Sequence, residues 1–157
     1  MRKIAFLLVL LSGTVACHTT KTEVENTSGE FSLVFGKYHG FCAGDCVSLY
    51  KISGEQLFED DLMRFSGWDT PVFKDTPMSK QRYQQAKVLL DNFPPSLLQT
   101  DAETIGCPDC ADQGGYYLEW QQGEVLRRWR IDTNENELPN DLVAYTRQIT
   151  QVLESLH

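Results

Sequence analysis

Two turn signals, Ser53-Gly54 and Gln122-Gly123, constrain this chain most, because each stands between extended runs and ties them into an antiparallel hairpin. Ahead of the first, Phe31, Leu33 and Phe35 alternate with Ser32 and Val34, and Val47 to Ile52 forms a second extended run. A third strand follows over roughly Gln56 to Asp60, so residues from Phe31 onward predict a three-stranded meander. Around the second turn, Tyr116 to Gln121 and Val125 to Asp132 predict another hairpin, with Val125, Arg127, Trp129 and Ile131 on one face. Between the hairpins the period changes. Ser79 is placed as an N-cap, Tyr83, Ala86, Leu90 and Phe93 recur at helical steps, and Pro94-Pro95 stops the helix. A last helix opens at Pro139-Asn140-Asp141 and carries the stripe Leu142, Tyr145, Ile149, Val152, Leu153 and Leu156. Leu62 to Pro77 has no sustained period and predicts a loop with at most a short strand. The order β-β-β-α-β-β-α predicts an α+β domain over residues 31–157, a mostly antiparallel sheet with two helices on one face.

The first 16 residues read differently. Arg2 and Lys3 precede an apolar run from Ile4 to Leu11, then small residues lead to Ala16 and Cys17. The run is too short to span a bilayer and has the build of a removable export signal. That order resembles the bacterial lipoprotein signal, which implies cleavage after Ala16 and lipidation of Cys17. Thr14 stands where that family usually has Leu, and Thr14-Val15-Ala16 also suits ordinary signal cleavage, which would release a soluble secreted protein. His18, with no Asp after the cysteine, implies sorting to the outer membrane by similarity to enterobacterial rules. Residues 17–30 then form the lipidated N-terminus and a flexible tether, since HTTKTEVENTSGE holds Val24 as its one apolar residue.

Charge narrows the partners. The chain carries 14 basic and 22 acidic side chains, a net charge of −8, and loss of Arg2 and Lys3 with the signal would take the remainder to −10. Such a surface argues against nucleic acid. It also repels anionic lipid, so membrane contact is expected through the N-terminal acyl chains, of which stable anchoring needs more than one.

Five cysteines leave one over when paired, and setting Cys17 aside for lipid leaves four in two close pairs, Cys42 with Cys46 and Cys107 with Cys110. Structural disulfides bracing two loops suit an oxidising envelope, although four cysteines allow three connectivities. A four-thiolate zinc site has compatible spacing, with Asp45, Asp109 and His39 near the sulfurs, but exported thiols meet oxidants first. A redox pair at Cys107-Pro-Asp-Cys110 would need a helix N-terminus to lower its thiol pKa, whereas Ala-Asp-Gln-Gly-Gly and a strand follow. The disulfide reading is therefore carried forward, with no cofactor and no metal site assigned.

No catalytic set emerges. His39 reads as a loop residue beside Gly36 and Gly40, and Glu59-Asp60-Asp61 as a solvated strand end lacking calcium-loop spacing. Arg127, Arg128 and Arg130 around Trp129 read as sheet cations paired with carboxylates. Phe31, Phe35, Tyr50, Phe58, Tyr116 and Trp120 read as core.

From Leu33 to Asp61, LVFGKYHGFCAGDCVSLYKISGEQLFEDD resembles the opening of uncharacterised small lipoproteins of Bacteroidota, with a strand, a Gly-containing Cys-x-x-x-Cys turn and a second strand. The resemblance covers about a fifth of the chain and implies an envelope lipoprotein with no assigned activity. The expectation is a non-enzymatic binding or accessory domain at the outer membrane, facing the periplasm or the exterior and recognising an envelope protein or ligand. A thiol-disulfide or metal-handling protein using the four domain cysteines is the alternative.

Overall fold

A computed structural model describes residues 31–157. The expected signal at 1–16, the expected lipidation site Cys17 and the expected tether through residue 30 lie outside the described residues. The sheet contains β1 (Phe31–Tyr38), β2 (Val47–Ser53), β3 (Gln56–Glu59), β4 (Thr104–Ile105), β5 (Gly115–Gln122) and β6 (Val125–Ile131). Their spatial order is β3-β2-β1-β5-β6-β4, antiparallel throughout except for β4, which runs parallel to β6. The α+β class and the two hairpins are as expected; β4 is an addition at the edge.

Helices cover one face. Strand residues Leu33, Phe35, Tyr50, Ile52, Leu57, Tyr116, Leu118, Trp129 and Ile131 meet α1 (Lys80–Ala86), α2 (Val88–Asp91), α3 (Pro95–Gln99) and α4 (Asn140–Leu156) in one apolar core. Register produces this segregation, because Phe35 faces Tyr50 and Leu118 across the ladders and all three share a face. The α4 stripe is buried as expected, and Tyr145 Oη donates to the carbonyl of Leu89 at 3.0 Å, joining α4 to α2.

The expected single helix after Ser79 is instead two. Ser79 does cap it, accepting from the N–H of Arg82 at 3.4 Å. At Lys87 the chain tightens, with the N–H of Leu90 reaching the carbonyl of Lys87 at 2.9 Å in a three-residue step. That turn brings Leu89, rather than Leu90, to full burial. Pro94-Pro95 ends α2, yet Pro95 also begins α3, since its fixed φ and missing N–H suit a first helical position.

The opposite face is covered without helices. Segment 61–73 crosses it and inserts Phe65, edge-on to Tyr38 at 5.8 Å and Tyr117 at 4.9 Å. Val34, Cys46, Val47 and Leu49 complete this second cluster. Gly36 makes the strand crossing possible, because a Cβ there would stand 2.0 Å from the carbonyl oxygen of Ser48. Asp60 starts the segment and corrects the reading of a solvated acidic strand end. It is buried, and its carboxylate accepts the N–H groups of Leu49 at 2.7 Å and Leu62 at 3.0 Å.

Candidate functional site

Antiparallel pairing of β1 with β5 sets Tyr38 opposite Gly115. The loop leaving β1 and the loop entering β5 therefore emerge side by side, and these are the two cysteine-bearing loops. Cys42 is disulfide-bonded to Cys46 and Cys107 to Cys110, with Cα separations of 5.9 and 5.5 Å. Both bridges are local, so each closes its own loop and neither joins the two. Cys46 is buried in the second cluster, whereas Cys107 and Cys110 are both exposed.

Asp109 joins the loops instead. Its carboxylate accepts the N–H of Gly40 at 3.0 Å and that of Gly114 at 2.9 Å, so one side chain spans from the CPDC loop to the Cys-x-x-x-Cys loop. The main chain at Asp109 is left-handed, φ 60°, a conformation that Asp tolerates better than most residues. From behind, Asp132 accepts the N–H of Cys107 at 2.6 Å and that of Asn134 at 2.9 Å. Burial raises the Asp132 carboxyl pKa, but hydrogen bonds from Asn134, Cys107, Gln113 and Thr133 outweigh it and hold the group below its ordinary value. The N–H of Cys46 reaches the carbonyl of Met63 at 3.2 Å, bringing segment 61–73 into the same end of the molecule.

Where these pieces meet, a recess of about 210 Å³ is lined by Tyr38, Ser66, Trp68, Thr104, Pro108, Asp109 and Arg130. Arg130 is 5 % exposed. Its Nη2 donates to Thr104 Oγ1 at 2.6 Å, while its buried Nη1 has no hydrogen-bond partner among the described residues. The ring of Trp68 lies over the guanidinium, 2.8 Å from Cζ to centroid, and Trp68 itself is 70 % exposed. Burial lowers the Arg130 pKa, opposed by the negative potential of Tyr38, Glu103 and Tyr117. An unmet buried donor costs about 1–3 kcal/mol, and a cation–π contact returns about 0.5–2 kcal/mol of it. Arg130 is thus a desolvated cation held by an aromatic face and one hydroxyl.

Its neighbours follow the expectation for sheet cations. Arg128 Nε donates to Glu119 at 2.7 Å, and Arg127 stands 3.7 Å from Asp101. Arg130 departs from it: alternation puts it on the same sheet face as Arg128, the face covered by segment 61–73, but no carboxylate stands within ion-pair distance of it among the described residues. Neither Trp68 nor Tyr38 was singled out by the sequence pattern. The nearest signal was the cluster of arginines itself.

A larger groove, about 410 Å³, runs between the Cys42–Cys46 loop and the end of α4, lined by Lys37, His39, Asp45, Ser48, Glu154 and His157 among others. Ser48 Oγ and His157 Nε2 approach only to 3.5 Å there, and His39 is exposed without a carboxylate at its ring. Among the described residues, no group of three or more His, Cys, Asp or Glu is placed to share a metal ion, and no helix is long and apolar enough to cross a membrane. The four domain sulfurs are engaged in the two disulfides.

No protein-family model matches the chain, and no curated protein matches it either.

Proposed function

We propose that this protein is an outer-membrane lipoprotein, anchored through Cys17, whose domain is a non-enzymatic binding or accessory module working through its disulfide-braced end. The export signal, Cys17 and the polar tether support the address. The observation that carries the binding role is the meeting of the two disulfide-closed loops through Asp109, which also lines the Arg130 recess, with Phe41 on one of these loops and Met63 and Trp68 on segment 61–73 exposed at 78, 72 and 70 %. Rigid loops presenting exposed aromatic and apolar side chains beside a desolvated cation are a recognition surface; exposed patches of this kind mark sites of interaction. The helix face, filled by its own core, is the scaffold that holds those loops.

Thiol-disulfide exchange is the second reading, supported by the exposure of Cys107 and Cys110. It lacks the helix N-terminus that activates such pairs, because a turn and then β5 follow.

Intact mass of the protein taken from the envelope of cells expressing the whole chain tests the proposal. The expected species lacks residues 1–16, carries acyl chains on Cys17 and has four domain sulfurs blocked until reduction. An unacylated Cys17 overturns the anchor. Catalytic reduction of insulin by the purified protein overturns the non-enzymatic reading in favour of thiol exchange.

A further inference from the structure

A buried guanidinium ordinarily has a carboxylate beside it, and even the part-exposed Arg128 has Glu119 on the neighbouring strand at 2.7 Å. Arg130 is more deeply buried, 5 % exposed, and has no ion-pair partner among the described residues. Thr104 satisfies Nη2, and Nη1 is left buried without a partner in a side chain that lines the recess. The remaining cover is Trp68, which is mostly in solvent and follows Gly67. Gly67 has a φ of +81°, and a Cβ there would stand 2.8 Å from the Tyr38 ring and 3.1 Å from Arg130 Cδ. The glycine lets the chain pass tightly over Tyr38 and lay the indole on the guanidinium, with few other contacts holding the ring in place.

We propose that this recess binds a carboxylate, received by Arg130 Nη1 as Trp68 moves aside to become the wall of the filled site. The proposal rests on the reading of the disulfide-braced end as a recognition surface and names the chemistry it recognises. A guanidinium fork matches a carboxylate in shape and charge, and its planar edge takes two oxygens at once. Tyr38 adds a hydroxyl at the same wall, whereas the Ser66 hydroxyl there is already engaged, donating to Asp69 at 2.8 Å. A polyanion fits worse. One cation serves the recess, Asp109 stands on its rim, and the whole chain carries −8, so each negative charge beyond the first meets repulsion. The exposed apolar side chains of Phe41, next in sequence to the Gly40 that Asp109 holds, and of Met63 on segment 61–73 suit a carboxylate carried on a peptide chain, either as its free C-terminus or as an acidic side chain.

The test uses the purified, oxidised chain with its own N-terminus and follows the Trp68 indole and Arg130 side-chain N–H signals by NMR at fixed ionic strength. N-acetylalanine offers a chain-terminal carboxylate, the α-amide of N-acetylglutamate a side-chain one, and N-acetylalaninamide neither. The expected result is a saturable shift of both signals with at least one acid and at least tenfold weaker response to the neutral amide. Whichever acid binds identifies the source. Arg130→Gln is expected to abolish the response. Should that variant fail to fold, Arg130→Lys keeps the charge without the fork, and at least fivefold weaker binding is expected. No saturable shift with either acid overturns the proposal, as does an equal response to inorganic phosphate or an unchanged affinity in Arg130→Lys. Failure of the underlying reading is separable. Photo-crosslinking from position 41 in the envelope tests the surface without reference to Arg130, so acid binding without crosslinks removes the reading alone, and crosslinks without acid binding remove the carboxylate alone.

Discussion

The two faces of the sheet solve the same burial problem with different materials. On the helix face, α1, α2 and α4 close a dry core in which Trp129, Leu118, Ile131 and Ile149 are all within 1 % of complete burial. On the other face, an irregular segment does the covering, and the residues it buries include charges: Arg130, Glu119 and Asp60. Regular helices can bury apolar side chains because their own backbone groups are already satisfied. A loop must find partners for its main chain, and Asp60 supplies one here by accepting the N–H of Leu62, while its other oxygen accepts that of Leu49 on β2. The helix face is therefore stability, and the loop face, with its unmet donor and exposed indole, is where binding chemistry is available.

Replacing a tryptophan on each face breaks this contrast most sharply. Trp129→Ala removes a 1 % exposed ring from the helix-face core and should lower stability in urea by about 3–5 kcal/mol. Trp68→Ala should cost less than about 1 kcal/mol by the same measurement, since most of its surface is already in water. Equal costs would mean that segment 61–73 is part of the folding core.

A smaller effect is expected at the strand crossing. Gly36→Ala puts a methyl 2.0 Å from the Ser48 carbonyl oxygen, and the necessary backbone shift should cost about 1–3 kcal/mol, with loss of amide protection in β1 and β2 by hydrogen exchange.

Asp109→Ala should cost about 1–2 kcal/mol by removing the acceptor shared by Gly40 and Gly114. Its sharper signature is chemical. Alkylation after brief reduction should show Cys107–Cys110 opening before Cys42–Cys46 in the native chain, because only the former has both sulfur-bearing residues exposed. In the variant the interval between them should shrink, as the loops no longer brace each other.

The smallest effects are in acid, where two buried aspartates oppose each other. Asp132 has a lowered folded pKa, so it contributes stability above its unfolded value of about 3.9 that is lost as pH falls below it. Burial raises Asp60 despite its two backbone hydrogen bonds, so its contribution has the other sign, growing as pH falls through its folded pKa and fading as pH rises. Between pH 5 and pH 3, Asp132→Asn should therefore lose less stability in urea than the native chain, and Asp60→Asn should lose more.

How far the sequence carried the account follows from where regular periods exist. Alternation and two glycine turns placed five strands and the antiparallel hairpins, and the stripe from Leu142 to Leu156 placed α4. The kink at Lys87 had no Gly or Pro to mark it, and Pro94-Pro95 signalled a stop without showing that Pro95 also starts α3. A two-residue strand such as β4 is too short for any period. At the site, the cysteines were legible but their pairing was not, because four cysteines permit three connectivities. Asp109 reaches Gly40, 69 residues away in sequence, a contact no local pattern records. Arg130 resembled its paired neighbours until the fold showed no carboxylate within ion-pair distance of it, and Trp68 lay in a stretch without period.

The central claim is that binding belongs to the disulfide-braced end. Its most direct measurement places a photo-crosslinking side chain at Phe41, next to the Gly40 that Asp109 holds, and separately at Val125, also exposed, in the β5–β6 hairpin at the far end of the same sheet. In cells exporting the whole chain, the account predicts one discrete adduct from position 41 and none from position 125. Equal adducts from both positions, or an adduct from position 125 alone, would contradict it.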